Sequence, residues 1–137
     1  VATISNAMDV GDPSNFVRIL ELFDKEFNQV KNKLSGYTID DEETLKTIKR
    51  VEKDYGYVLD PHGAVAFVAL EKYLAENDGK GFFLETAHPV KFPDSVEQAT
   101  GKSVEIPKSL EELMKQEKFT TEINPQYEEL KEFLLKK

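Results

Sequence analysis

Apolar residues recur along this chain mostly at helical spacing. Phe16, Ile19, Leu20, Phe23, Phe27, Val30 and Leu34 stand three, four and seven apart, the stripe of one amphipathic helix. Asp12-Pro13 ahead of it offers a cap followed by proline at the first helical position, and Gly36 offers a stop. Leu45, Ile48 and Val51 follow an acidic cluster, Asp40-Asp41-Glu42-Glu43, while Lys46, Lys49, Arg50 and Lys53 lie toward the other end. Charge arranged this way complements the helix macrodipole and predicts a surface helix ending before Gly56. A calcium loop would need spaced ligands and a central glycine, which the cluster lacks.

Asp60-Pro61 repeats the cap-and-proline start. The run Gly63-Ala64-Val65-Ala66-Phe67-Val68-Ala69-Leu70 is apolar on every side and rich in small residues, which predicts a helix buried on more than one face. It turns amphipathic after Glu71 and ends at Asn77-Asp78-Gly79. Strands are expected at 1–5, at 57–59 and at 82–86, the last stopped by Pro89. Shorter helices are expected from Pro93 to Gly101, from Pro107 through Met114, and from an Asn124-Pro125 cap through Leu134, with Lys136 and Lys137 suiting its C-terminus. The expected fold class is therefore α/β, helix-rich, with a small and mostly parallel sheet of two to four strands. Parallel strands normally have more neighbours than this and cover on both faces. The helices ask for sheet that the chain does not contain, so it reads as part of a larger α/β enzyme.

Composition narrows the function classes. With 137 residues there is one domain's worth of chain, and a formal charge of −8 sets a field that repels phosphate backbones and anionic lipid. Nucleic acid and membrane surfaces are not expected partners. The N-terminus has neither a basic n-region nor a signal-type apolar core, and a cytoplasmic location is expected. Cysteine is absent, so thiolate nucleophiles and thiolate metal sites are excluded. Two histidines, His62 and His88, are too few for a His-rich metal cluster, and no metal site is expected.

The chemistry is concentrated where the apolar run 81–86 ends in Thr86-Ala87-His88-Pro89. Open α/β sheets place their ligands at the carboxyl ends of strands. Thr86 is either an ordinary strand hydroxyl bonded to backbone or a hydroxyl aimed at a ligand. His88 shares its side if the extension continues, and is either an acid–base group or a packing residue before proline. His62, in a first helical turn, suits a structural hydrogen bond. No nucleophilic triad, phosphate-cradling glycine loop or H-E-x-x-H pattern occurs.

Three stretches carry a family resemblance: SNAMDVGDPSNF at 5–16, YVLDPHGAVAFVALEKYLA at 57–75 and LETAHPVKFPDSVEQATG at 84–101. Together they resemble the C-terminal part of the threonine synthases, and the closing FTTEINPQYEELKEFLL resembles that family's last helix. The resemblance implies a fold type II pyridoxal-phosphate enzyme that converts O-phosphohomoserine and water to threonine and phosphate. It further implies that residues 1–137 are a single piece of that catalytic fold, with about 1–101 contributing to the cofactor cleft and about 102–137 a helical extension. By resemblance, Thr86 is the hydroxyl that bonds the cofactor's pyridine nitrogen, and His88 and Asn6 are candidates for lining the cleft. The Schiff-base lysine belongs upstream, so no catalytic residue, no covalently bound cofactor and no turnover are expected of this chain alone. Surfaces cut from such a fold should self-associate. Gly63 and Ala66 depart from the resemblance, many relatives having threonine and glycine at these positions, and as small-for-small changes on the packed helix they bear on local packing more than on function. The alternative is a naturally short, non-catalytic binding or interaction module of the same fold, which the reading frame upstream of Val1 would separate.

Overall fold

A computed structural model describes residues 1–136; Lys137, and with it part of the cationic helix end expected there, lies outside the described residues. Seven helices occur among them: α1 (Phe16–Leu22), α2 (Phe27–Lys33), α3 (Asp41–Tyr55), α4 (Pro61–Glu76), α5 (Pro93–Thr100), α6 (Lys108–Met114) and α7 (Tyr127–Leu135). Short 3-10 turns lie at Asn6–Met8 and Pro89–Lys91. The chain divides into two compact units, Val1–Glu105 and Ile106–Lys137.

Local chemistry sets the longer helices. The Asp40 carboxylate accepts the Glu43 N–H at 2.7 Å and starts α3, and Gly56 ends it at φ 67°, the left-handed geometry that glycine adopts without penalty. The Asp60 carboxylate accepts the His62 N–H at 2.9 Å and starts α4, with Pro61 at its first position. In the first unit α3 packs against both α4 and α5. Ile48 and Val51 of α3, Leu59 of the connection, Ala64 of α4 and Ala99 of α5 form the core, with Leu45, Phe67 and Phe83 packed against it. The Arg50 guanidinium lies 5.4 Å from the centre of the Phe67 ring and bonds Glu71 at 2.9 Å, closing the α3–α4 seam at the surface.

In the second unit, α6 and α7 carry no buried residue. The last helix is entered from Gln126, not capped by Asn124, whose side chain instead bonds Glu129 at 2.7 Å.

Two larger expectations also fail. The single helix expected from Asp12 to Leu34 is two short ones, broken where Asp24 and Lys25 adopt φ of 52° and 59°. Its apolar stripe supplies no buried residue, and packing is what normally holds such a helix straight through a weak point. The more consequential correction concerns fold class: the described residues are helical and contain no strand, so the small parallel sheet expected from 1–5, 57–59 and 82–86 is not formed. A strand exists only as part of a hydrogen-bonded ladder, and none of these three segments has a ladder partner among the described residues.

The segment 81–88 nevertheless keeps a strand's alternation. Phe83, Glu85 and Ala87 are half-buried while Phe82, Leu84, Thr86 and His88 are exposed, the period of two of an extended chain lying on a surface. It runs back along α4. A Cβ on Gly81 would meet the Leu70 side chain, Phe83 packs edge-on to Phe67 at 5.4 Å, and a Cβ on Gly63 would overlap the Glu85 carboxyl. One face is therefore seated on the helical layer, and the other carries Phe82 and Leu84 at 84% and 68% exposure.

Candidate functional site

Thr86 and His88 project from the same open face of this segment, two residues apart, as its alternation requires. The Thr86 hydroxyl has no hydrogen-bond partner among the described residues. His88, by contrast, is engaged locally, because its Nδ1 accepts the Val90 N–H at 3.2 Å and caps the turn Pro89–Lys91. An Nδ1 used as acceptor leaves Nε2 as the ring's donor. Asn6 lies on the exposed turn Asn6–Met8, anchored through the Ile4 N–H to Asp41 at 3.2 Å. No hydrogen bond joins Asn6 to Thr86 or His88 among the described residues.

Behind that edge lies a polar cluster that the sequence did not reveal. Asp60 is fully buried, and its Oδ1 accepts from the His62 backbone and lies 2.7 Å from the His62 Nδ1. The His62 ring packs against Phe92 in a tilted arrangement, with ring centres 4.8 Å apart. Glu85 Oε1 accepts the Asp60 N–H at 3.1 Å. Asp60 Oδ2, His62 Nε2 and Glu85 Oε2 are buried without a partner. Asp60 and Glu85 are 25 apart in sequence, and the cue was the polar residue at an inward position of the alternation, between Phe83 and Ala87.

Burial pushes the Glu85 carboxyl up to about 7, assisted by the adjacent Asp60 carboxyl, against the Asp60 N–H that favours its ionised form. The Tyr57 phenol is raised by the same surroundings, through its own burial and then the charges of Glu85 and Asp60. An acid whose pKa is higher folded than unfolded makes the folded state weaker as pH rises, because the unfolded chain gives up its proton first. Stability should therefore fall between about pH 4.5, the ordinary value, and pH 7 and stay lower above it. His62, Asp60 and Tyr57 face the same carboxyl, so the contribution is isolated by difference. Denaturant titrations at pH 5 and pH 8 should show a smaller loss in Glu85→Gln than in the parent; equal losses would rule out this origin.

The ligand-forming possibilities are limited. Among the described residues no group of three His, Cys, Asp or Glu side chains is placed to hold a metal ion, and no helix is long and apolar enough to cross a membrane. What the edge offers a ligand is a neutral hydroxyl with an unused donor, flanked by an imidazole, beside the N-terminus of α4.

Comparison with known proteins gives this edge its context. The family model described as "Threonine synthase, C-terminal" matches residues 63–134. The chain is 46% identical to threonine synthase of Escherichia coli over 112 residues, 81% of this chain and 25% of that protein. It is 41% identical to threonine synthase of Buchnera aphidicola from Acyrthosiphon pisum over 137 residues, all of this chain and 31% of that protein. Among solved structures, E. coli threonine synthase superposes with a TM-score of 0.80 at 39% identity, covering 98% of this chain and 31% of that one. A Brucella melitensis threonine synthase solved with PLP (pyridoxal phosphate) bound gives 0.71 at 28% identity, covering 98% and 34%. The chain thus spans about a quarter to a third of the length of the relatives it matches. With its family match running through the segment that carries Thr86 and His88, this chain belongs to the threonine synthase C-terminal family.

Proposed function

We propose that this chain forms one wall of a pyridoxal-phosphate site in a threonine synthase, which converts O-phospho-L-homoserine and water to L-threonine and phosphate. The observation that carries the reading is the exposed, unpartnered Thr86 hydroxyl at the end of an extended segment whose other face is seated on α4. A hydroxyl donor fits the cofactor's pyridine nitrogen, the point to which the family resemblance assigns it. When bound, pyridoxal phosphate supplies an electron-withdrawing ring through which the γ-phosphate is lost and water is added at the β-carbon.

The chain's own residues orient and tune. A carboxylate opposite the ring nitrogen would hold a proton there, whereas the Thr86 hydroxyl would donate a hydrogen bond to an unprotonated nitrogen. His88, with Nδ1 engaged in its turn, can present only Nε2–H to a ligand in its neutral form. Asn6 lines the cleft in this reading. Covalent attachment falls to a lysine outside residues 1–137, the substrate is a small molecule rather than nucleic acid or membrane, and the location is the cytoplasm. The exposed Phe82 and Leu84 are then a face covered by the rest of the enzyme.

The test compares the complete synthase carrying these residues with residues 1–137 alone. The complete protein should release phosphate from O-phosphohomoserine. The chain alone should not, should give no borohydride-reduced lysine adduct by mass spectrometry, and should self-associate above its 15.6 kDa monomer mass in light scattering. A reduced adduct within residues 1–137, or a complete protein that leaves phosphohomoserine intact, would contradict the reading.

A further inference from the structure

The seating of segment 81–88 on α4 is mostly apolar, and one contact is out of keeping. Gly81 passes Leu70 and Phe83 meets Phe67, as expected of a surface that excludes water. At the next inward position stands a carboxyl. Burying it carries a penalty that an apolar side chain would avoid, so its presence calls for a specific geometric use.

That use is visible in what the carboxyl touches. Glu85 Oε1 accepts the N–H of Asp60, the buried residue that caps α4. Glu85 Oε2 occupies the space above Gly63, where a Cβ would lie 1.7 Å from it. The missing side chain at Gly63 is thus the socket into which the carboxyl fits in this chain. Shifting an extended segment by one residue exchanges its two faces. Here it would turn Thr86 and Leu84 inward, expose Glu85 and leave the Asp60 N–H without its acceptor. No other side chain of residues 84–88 hydrogen-bonds to α4 or its cap among the described residues. A polar group that fits one partner in one register is a recognised way of selecting a single arrangement from several that apolar packing would permit.

We propose that Glu85 is the positioning residue of this edge: seated over Gly63 and bonded to the Asp60 N–H, it fixes the register of residues 82–88 and so turns Thr86 and His88 outward. The functional half of this proposal builds on the reading of Thr86 as the hydroxyl facing the cofactor ring. The socket predicts an asymmetry among variants. Glu85→Gln keeps both the acceptor and the shape. Glu85→Leu keeps bulk but removes the acceptor, and Gly63→Ala leaves the carboxyl intact while filling its socket.

The experiment is hydrogen exchange, with the cofactor absorbance spectrum recorded on the same samples, in the complete, cofactor-loaded synthase carrying these residues. In Glu85→Leu and Gly63→Ala the Asp60 amide, whose acceptor is removed or displaced, should exchange about tenfold faster than in the parent, the scale of one lost hydrogen bond. Both variants should shift the absorbance band in the same direction as Thr86→Val, while Glu85→Gln stays near the parent in both readouts. Parent-like exchange in Glu85→Leu and Gly63→Ala would overturn the proposal, as would faster exchange with an unmoved band when Thr86→Val moves it. If Thr86→Val itself leaves the band unmoved, the ring-nitrogen reading fails, and the exchange rates still decide whether Glu85 sets the register.

Discussion

Thr86→Val in the complete synthase is expected to lower kcat about 10- to 100-fold with KM changed by less than about threefold, the pattern of an interaction that counts in the reacting state more than in substrate binding. Valine has nearly the same shape and lacks only the hydroxyl. Because Thr86 is exposed and its hydroxyl bonds nothing among the described residues, the replacement removes no internal hydrogen bond. A donor facing the ring nitrogen is worth about 1.4–3 kcal/mol when it cannot be replaced by water, which sets the expected range. Thr86→Ser restores the donor and should recover most of the rate. Steady-state kinetics in which Thr86→Val stays within about twofold of the parent would remove the hydroxyl from the mechanism.

The largest expected effect on stability is at the centre of the first unit. Ile48 is completely buried where α3 meets α4 and α5, in a core of only a few side chains. Truncation to alanine removes three methyl or methylene groups and leaves a cavity that a helical layer fills only in part. Ile48→Ala should cost about 2–4 kcal/mol. Leu22, 76% exposed on α1, is the matched control, and Leu22→Ala should stay within about 0.5 kcal/mol. Urea titration of both in one background separates the outcomes. Equal costs would mean that the packing of α3 on α4 and α5 does not carry the stability of this unit.

How much the sequence disclosed depends on the range over which each signal acts. The starts of α3 and α4 were legible because Asp40 and Asp60 act within three residues of themselves, and Gly56 and Gly101 mark ends by their own backbone geometry. The alternation that puts Thr86 and His88 on one face was legible for the same reason. The sheet was not, because whether 82–86 becomes a strand is decided by a ladder partner that its own residues do not specify. The break at Asp24–Lys25 was also hidden, since the stripe from Phe16 to Leu34 runs through it without interruption. The Asp60–His62–Glu85 cluster joins positions 25 residues apart, and spacing alone does not bring them together. A lone carboxyl among the inward positions of an apolar segment was its only trace.

Ring-nitrogen chemistry is the most direct measure of what this wall contributes. With 15N-labelled pyridoxal phosphate in the complete synthase, the nitrogen should resonate as a neutral pyridine accepting a hydrogen bond, and should move toward the unbonded position in Thr86→Val. A nitrogen that is protonated in the parent, or whose resonance is the same in parent and variant, would contradict the assignment of Thr86 as its partner.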